Sequence, residues 1–246
     1  DGGKGACLPG TGGQITVSCS KRGRERGACD MWDSTEDQIE MVFIRHGATR
    51  ANKEKRYLGK TDEPLSVEGK EALKTKRYPQ VDTLLYSPMK RCMETAACIY
   101  PKLWEQKEVP KIVVPDWCEM DFGSFEGKNY QELNGDPAYQ NWIDSGGILP
   151  FPGGESREEF ILRCQKGLLE VLAFPMKRAA AIVHGGTIMA LLSSYGAGDY
   201  FDYQCPNGEG YFVQVHFRKE KNGTVLEDSI HIDHIKRLET KENEIS

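Results

Sequence analysis

No window of this 246-residue chain approaches the roughly 18 uncharged apolar residues that a membrane-spanning helix requires, so no membrane partner is expected. The density of a disulfide scaffold is also missing: 8 cysteines make up about 3% of the chain, and no C-x-x-C pair occurs. Cys92, Cys98 and Cys164 fall within amphipathic helical patterns, where a free thiol behaves as a small apolar residue. The chain opens on Asp1-Gly-Gly-Lys rather than on a basic start and an apolar signal core. A reduced, cytoplasmic protein is expected. Positive charge is in deficit, with 32 Lys and Arg against 37 Asp and Glu. The net charge of −5 would repel a phosphate backbone, so nucleic acid is not expected as a partner. What remains, 39% hydrophobic and 28% charged residues, is the composition of a globular protein with one sizeable core or two small ones.

Residues 1–37 hold Gly2, Gly3, Gly5, Gly10, Gly12, Gly13, Gly23 and Gly27 with the basic cluster Lys21-Arg22-Gly23-Arg24 and almost no apolar periodicity. This stretch is expected to be a disordered, glycine-rich extension. Gly5 and Gly10 have the spacing of a phosphate loop, but Thr11-Gly12 stands where Lys-Ser/Thr is required and no apolar strand precedes them. One folded domain is expected over residues 38–238, followed by a flexible tail over 239–246.

Inside that domain, strand and helix signals alternate. Met41–Ile44, Val81–Tyr86 and Ala179–Val183 are short apolar runs of strand length. Met89, Cys92, Met93, Ala96 and Tyr100 repeat at helical spacing, with Ser87 expected as N-cap and Pro88 at the first helical position. Ser156 and Glu159 form a capping box that opens a helix with the stripe Phe160, Cys164, Leu168 and Val171. A further helix carries Ile188, Met189, Leu191 and Leu192. Two alternating runs, Tyr211–Phe217 and Thr224–Ile235, flank Asn222-Gly223, the signal of a type I′ hairpin. Together these elements predict an α/β fold: a three-layer α/β/α sandwich on a mainly parallel central sheet, with a C-terminal β-hairpin.

In such a sheet, ligands bind beyond the carboxyl ends of the strands. His46 ends the first strand before Gly47. His184 ends the third before Gly185-Gly186, which lets backbone approach a ligand closely. Taken singly, either histidine is better explained as a hydrogen-bonded strand-end residue, and Arg91 as a solvated helix arginine. Together, Arg45, Arg91, His46 and His184 at one edge would make a compact cationic pocket with bidentate donors. Such a pocket suits a phosphate dianion better than a carboxylate, which points to phosphoryl chemistry.

Five ordered blocks then carry a resemblance. Ile44-Arg-His-Gly-Ala-Thr49 with Asn52, continuing through Arg56-Tyr-Leu-Gly59 and Asp62–Ser66, is the first. Ser87-Pro-Met-Lys-Arg91 through Ala96, Cys118-Glu119 through Gly127, Pro152-Gly-Gly-Glu-Ser156 and Val183-His184-Gly-Gly-Thr187 follow. As a set they resemble the histidine phosphatase superfamily, which includes the cofactor-dependent phosphoglycerate mutases. The resemblance spans residues 40–218 and implies an α/β/α fold, with His46 as the phosphorylated nucleophile. It also implies Arg45, Arg91 and His184 as the rest of the phosphate pocket, with Asn52 and the Gly185 backbone assisting, and Glu119 as proton donor.

An imidazole attacks phosphorus only when neutral, and Arg45, Arg91 and a cationic His184 are expected to depress the pKa of His46. Fixed donors hold the charge on the transferring oxygens, so neither a metal nor an organic cofactor is expected. The matched blocks hold no three-ligand zinc pattern and no Mg-binding acidic cluster. Glu119 must begin protonated, and a bound phosphate dianion should raise its pKa. Water then hydrolyses the phosphohistidine.

His216, His231 and His234 lie on the terminal strands. His231 and His234 have the look of a metal pair, but i,i+3 on a strand places rings on opposite faces, so they are expected to be surface histidines. Phe122, Phe125, Tyr130, Tyr139, Trp142 and Phe151 could line a leaving-group pocket or pack a subdomain, and packing is expected for most. The substrate partner is expected to be a small phosphomonoester. A mutase must shield its intermediate from water, which in this superfamily goes with a longer insertion between the acid and the second histidine. Here 65 positions separate Glu119 from His184, which favours hydrolysis over isomerisation. A non-catalytic phosphoryl-binding module is a third reading, which the intact pocket positions do not favour. Within the superfamily the blocks are most similar to the alpha-ribazole phosphatases, which act in assembly of the cobalamin nucleotide loop. Alpha-ribazole 5′-phosphate is therefore the substrate that the resemblance implies, with a broad-specificity phosphatase as the alternative.

Overall fold

Met41, Val42, Phe43 and Ile44 are all fully buried, as are Ala179–Val183, so both segments must be strands covered on two faces. The computed structural model describes residues 36–238 and joins them in one six-stranded sheet. The chain runs β1 (Glu36–Arg45), α1 (Arg50–Lys53), α2 (Val67–Lys74), β2 (Thr83–Tyr86), α3 (Lys90–Ile99), α4 (Pro101–Glu105) and β3 (Lys111–Val113). It continues through α5 (Pro137–Asp144), α6 (Arg157–Leu172), β4 (Arg178–Val183), α7 (Gly185–Tyr195), β5 (Gly210–Arg218) and β6 (His231–Arg237). The strand order is β3-β2-β4-β1-β5-β6, parallel from β3 to β1 and antiparallel beyond it.

Alternation along the strands builds the layers. Met41, Phe43, Ala179, Ala181 and Val183 face a core shared with Phe160, Cys164 and Leu168 of α6 and Ile188 and Leu191 of α7. Val42, Ile44, Ala180 and Ile182 face the opposite core, shared with Cys92 and Ala96 of α3. Each large apolar side chain buried this way contributes about 1.5–3 kcal/mol. The result is the expected α/β/α sandwich with a mainly parallel sheet. No helix among the described residues is long and apolar enough to cross a membrane.

Four local expectations are corrected. First, β1 starts at Glu36, so Glu36 and Asp37 belong to the sheet rather than to the glycine-rich extension. The length of β5 provides for this, pairing Glu36 with Arg218. The rest of the expected extension, residues 1–35, and the tail, 239–246, lie outside the described residues.

Second, α3 starts at Lys90 with Met89 as N-cap, which has no side-chain cap bond. Ser87 is still bonded along the sheet, its N–H donating to the Ile182 carbonyl (3.1 Å). The cap comes instead from Asp62, whose Oδ1 accepts the Lys90 N–H at 2.7 Å. By contrast the capping box of α6 forms as expected, Ser156 and Glu159 satisfying one another's backbone N–H groups.

Third, β6 begins at His231, because Lys219 and Val225 form only an isolated bridge and Glu227–Ser229 make a single 3-10 turn. At the preceding turn only Gly223 has a positive φ (89°), and Glu220 accepts its N–H at 2.9 Å. A type I′ turn needs two such residues, so this is a different, longer connection. Fourth, His234 takes φ 48° beside the register shift between Phe212 and Gln214, so strict alternation fails there. His231 and His234 are both exposed, and the His216 Nε2 lies 3.1 Å from Asp233 Oδ1.

Candidate active site

The register of β1 against β4 decides the geometry. Ile44 pairs with Ile182 and Arg45 with Val183, so the two strands end level. The His46 N–H continues the ladder onto the Val183 carbonyl at 2.9 Å. His46 and His184, the next residue on each strand, are therefore neighbours, with ring centroids 5.2 Å apart and planes inclined by 66°. Helix α7 begins at Gly185, which leaves its first N–H groups without intrahelical partners beside the two rings.

Arg91 enters from α3 and is fully buried rather than solvated. Its Nε donates to His184 Nδ1 (3.4 Å), its Nη1 to the Thr61 carbonyl (2.9 Å) and its Nη2 to the Gly59 carbonyl (2.9 Å). One turn on, Thr95 Oγ1 accepts the Gly47 N–H at 2.9 Å and donates to the Arg91 carbonyl at 2.6 Å. That hydroxyl locks the loop after His46 to the helix bearing Arg91. Arg45 donates through Nη1 to the Cys205 carbonyl at 2.7 Å, while its buried Nε has no hydrogen-bond partner.

These partners fix both tautomers. Gly47 O lies 2.7 Å from His46 Nδ1, and a carbonyl only accepts, so Nδ1 carries the hydrogen and Nε2 the lone pair. At His184 the Arg91 donor requires a lone pair on Nδ1, so Nε2–H donates to Ser87 Oγ at 2.8 Å. Burial, then the Arg91 and Arg45 guanidiniums, hold His46 well below the usual histidine range, against a smaller upward pull from the Gly47 carbonyl. Burial, Arg91 and His46 do the same to His184. The expectation of a cationic His184 is thus corrected: burial beside Arg91 and Arg45 disfavours a further positive charge and pushes both imidazoles toward the neutral form.

Glu119 lines a cavity of about 650 Å³ that also reaches Arg45, Gly185 and Gly186. Its Oε1 accepts the Met120 N–H at 2.9 Å. Burial raises its pKa, outweighing that hydrogen bond and the pull of Arg91, Arg45 and Arg163. A Cβ at Gly186 would stand 2.6 Å from Glu119 Oε1, so a larger residue there would push the carboxylate from this position. Gly185 also faces the cavity, but a methyl group would sit at ordinary contact distance, 3.5 Å, from Arg45. Asn52 is reached through Asn207, whose Nδ2 donates to Asn52 Oδ1 (3.2 Å) and to the His46 carbonyl (3.0 Å). With Oδ1 also accepting the Thr49 N–H, the Asn52 amide is oriented so that its NH₂ remains a donor.

Arg45, His46, Arg91 and His184 are thus assembled as expected, and Glu119 lies near enough to feel the charge of both arginines. Several supporting residues had no legible signal. Ser87 was expected only as a helix cap, and nothing in the sequence singled out Thr95 or Asn207. Arg163 was equally silent. From α6 it binds the Asp116, Cys118 and Glu119 carbonyls (2.8, 2.7 and 3.1 Å) while pairing with Glu155, so it holds the backbone on which Glu119 stands. Of the aromatic residues singled out, Phe122, Trp142 and Phe151 line the cavity. Phe125 and Tyr139 pack edge to face behind them, 5.4 Å apart, and Tyr130 is exposed. Tyr57, Tyr200 and Phe201 complete the walls from distant parts of the chain.

Residues 41–222 match the family described as Histidine phosphatase superfamily (branch 1). Among curated proteins, an uncharacterized phosphatase of Bacillus subtilis, PhoE, is 33% identical over 164 residues, covering 65% of this chain and 78% of that protein. The adenosylcobalamin/alpha-ribazole phosphatase of Salmonella typhimurium is 28% identical over 160 residues, 63% of this chain and 77% of that one. Among solved structures, the alpha-ribazole phosphatase of Shigella flexneri shares the fold with a TM-score of 0.61 at 20% identity, over 76% of this chain and 93% of that chain.

Proposed function

The chain belongs to the histidine phosphatase superfamily, branch 1, and from that premise we propose that it is a phosphomonoesterase working through a phosphohistidine at His46. The observation that carries this reading is a neutral imidazole with its Nε2 lone pair free, set between two guanidiniums, one of which keeps a buried Nε–H without an acceptor. A buried unpaired donor costs about 1–3 kcal/mol, a cost that a phosphate oxygen would remove.

The reaction follows from these groups. His46 Nε2 attacks phosphorus in line with the ester oxygen, and the P–O bond breaks as Glu119 gives its proton to the departing alkoxide. Arg45, Arg91, the Asn52 amide and the Gly185 N–H face the phosphoryl oxygens, with His184 beside them. The charge is met by fixed donors, so neither a metal ion nor an organic cofactor is invoked. Water then attacks the phosphohistidine, Glu119 takes its proton, and inorganic phosphate leaves with His46 neutral again. The catalytic domain is the body from β1 to β6.

For the leaving group, the cavity offers aromatic walls, Tyr57, Phe122 and Trp142 among them, with volume for a nucleoside-sized group. We propose alpha-ribazole 5′-phosphate, whose base is flat and apolar, in assembly of the cobalamin nucleotide loop; the name of the Salmonella relative supports the choice. The 65-position span from Glu119 to His184 is short for the insertion that shields a mutase's intermediate, so an isomerase reading is not favoured. A panel of kcat/KM values in EDTA tests the proposal, with alpha-ribazole 5′-phosphate, phosphoserine, 3-phosphoglycerate, a nucleoside monophosphate and p-nitrophenyl phosphate. Preference for the ribazole ester is expected. Uniformly feeble turnover, or preference for phosphoglycerate, would contradict it.

A further inference from the structure

Arg91 is fully buried, yet the groups that orient it are neutral: the Leu58, Gly59 and Thr61 carbonyls and the His184 ring. Three of these acceptors lie on one short loop. A carboxylate in direct contact would compete with a phosphate for the guanidinium, whereas carbonyls aim it and leave its charge uncompensated. Such a loop aims the side chain only if something fixes the loop.

Glu126 does so. Its Oε1 accepts the Gly59 and Thr61 N–H groups, each at 3.0 Å, and its Oε2 lies 3.1 Å from the same Gly59 nitrogen. The carboxylate therefore binds the donor side of the loop whose acceptor side binds Arg91. Backbone pairing extends the clamp, with the Tyr57 N–H on the Lys128 carbonyl (2.9 Å) and the Gly127 N–H on the Tyr57 carbonyl (2.8 Å). The fit leaves no slack: a Cβ on Gly59 would stand 2.1 Å from the Met120 carbonyl and 2.9 Å from Glu126 Oε2. Met120 follows Glu119, so the loop is wedged between the arginine and the segment carrying the acid.

We propose that Glu126 is a positioning residue that aims Arg91 at the phosphate through the Gly59–Thr61 loop and ties that aim to the segment bearing Glu119. It touches no reacting atom. Its side-chain oxygen holds the Gly59 and Thr61 N–H groups, and the carbonyls of the same loop hold the guanidinium, so it acts at one remove by fixing the loop. This inference rests on the proposed phosphate site.

Inorganic phosphate is the probe, its affinity measured by calorimetry and by competitive inhibition. A displacement of about 1 Å in such a site costs on the order of a hundredfold in rate, so Glu126→Ala is expected to weaken phosphate binding at least about tenfold. Glu126→Gln keeps the oxygen that takes both N–H groups and should stay within about threefold of wild type. Glu126→Asp, one methylene short, should resemble the alanine variant and serves if that variant fails to fold. Arg91→Lys tests the underlying reading: if it binds phosphate like wild type, the proposed phosphate site is wrong. If Arg91→Lys weakens binding, removing the Glu126 carboxylate in that background should add less than about twofold, because no guanidinium remains to aim. The inference is overturned if the alanine and aspartate variants bind phosphate normally, or if their loss is equally large in the Arg91→Lys background.

Discussion

His46 can attack phosphorus only while its Nε2 lone pair is free: the Gly47 carbonyl sets the tautomer, and burial with the Arg91 and Arg45 guanidiniums keeps the ring unprotonated. The pH dependence follows. Activity on free substrate falls on the acid side as His46 protonates, and this limb lies well below the ordinary histidine value of 6.5. It falls on the alkaline side as Glu119 loses its proton, a limb lying above the ordinary glutamate value of 4.5. A bell-shaped kcat/KM profile is expected, and Glu119→Gln should erase its alkaline limb. The same variant should lose about 10²–10⁴ in kcat on alkyl phosphomonoesters and much less on p-nitrophenyl phosphate, whose leaving group needs little help from an acid. Equal losses on both substrates would show that Glu119 is not the acid. The residues proposed for this chemistry were legible because each falls in a motif with a mechanism. Their supports were not: Ser87 and Thr95 have hydroxyls with many uses, and only the register of β2 against β4 and the placement of α3 assign those hydroxyls to His184 and Gly47.

Among the elements, α6 begins with Arg157, a half-buried residue at the cavity. It donates through Nη2 to the Gly146 and Gly147 carbonyls (3.1 and 2.9 Å), and its guanidinium carbon sits 5.0 Å from the Tyr200 and Phe201 ring centroids. It therefore joins two segments that wall the leaving-group cavity. Arg157→Ala is expected to raise KM for a bulky aromatic phosphomonoester several-fold while leaving kcat/KM on p-nitrophenyl phosphate within about twofold, since each cation–π contact is worth about 0.5–1 kcal/mol at an exposed site. Steady-state kinetics on both substrates decides it. Capping shows how far local signals reach. The box of Ser156 and Glu159 is local and was legible, whereas α3 borrows Asp62 from another loop, a long-range contact that no sequence period encodes. Asp62→Ala should therefore lower both stability, by about 1 kcal/mol, and phosphate affinity, because Arg91 sits in the turn it caps.

For the whole molecule, stability and site geometry share one core. Trp117 is fully buried, meets Phe43 of β1 edge to face at 6.4 Å, and donates from Nε1 to the Cys164 carbonyl of α6 at 3.1 Å. Gly167 allows the close approach, since a Cβ there would lie 2.8 Å from Trp117 Nε1. Trp117→Ala should cost about 3–5 kcal/mol in denaturant unfolding, and Gly167→Ala should also destabilise although it adds apolar surface. The layered sheet was legible because central strands are apolar throughout and helices keep a stripe. Tyr57, Tyr200 and Phe201 were not legible as cavity walls, because they come from distant parts of the chain and join Phe122, Trp142 and Phe151 only in the folded protein.

One measurement bears on the whole account most directly: rapid-quench trapping of labelled phosphate on the protein during turnover of a phosphomonoester, with the site located by peptide mass spectrometry. The expected adduct is alkali-stable, acid-labile and confined to His46, and it is absent from a folded His46→Ala variant that has lost turnover. Full turnover by His46→Ala, or label on any other residue, would contradict nucleophilic catalysis by His46.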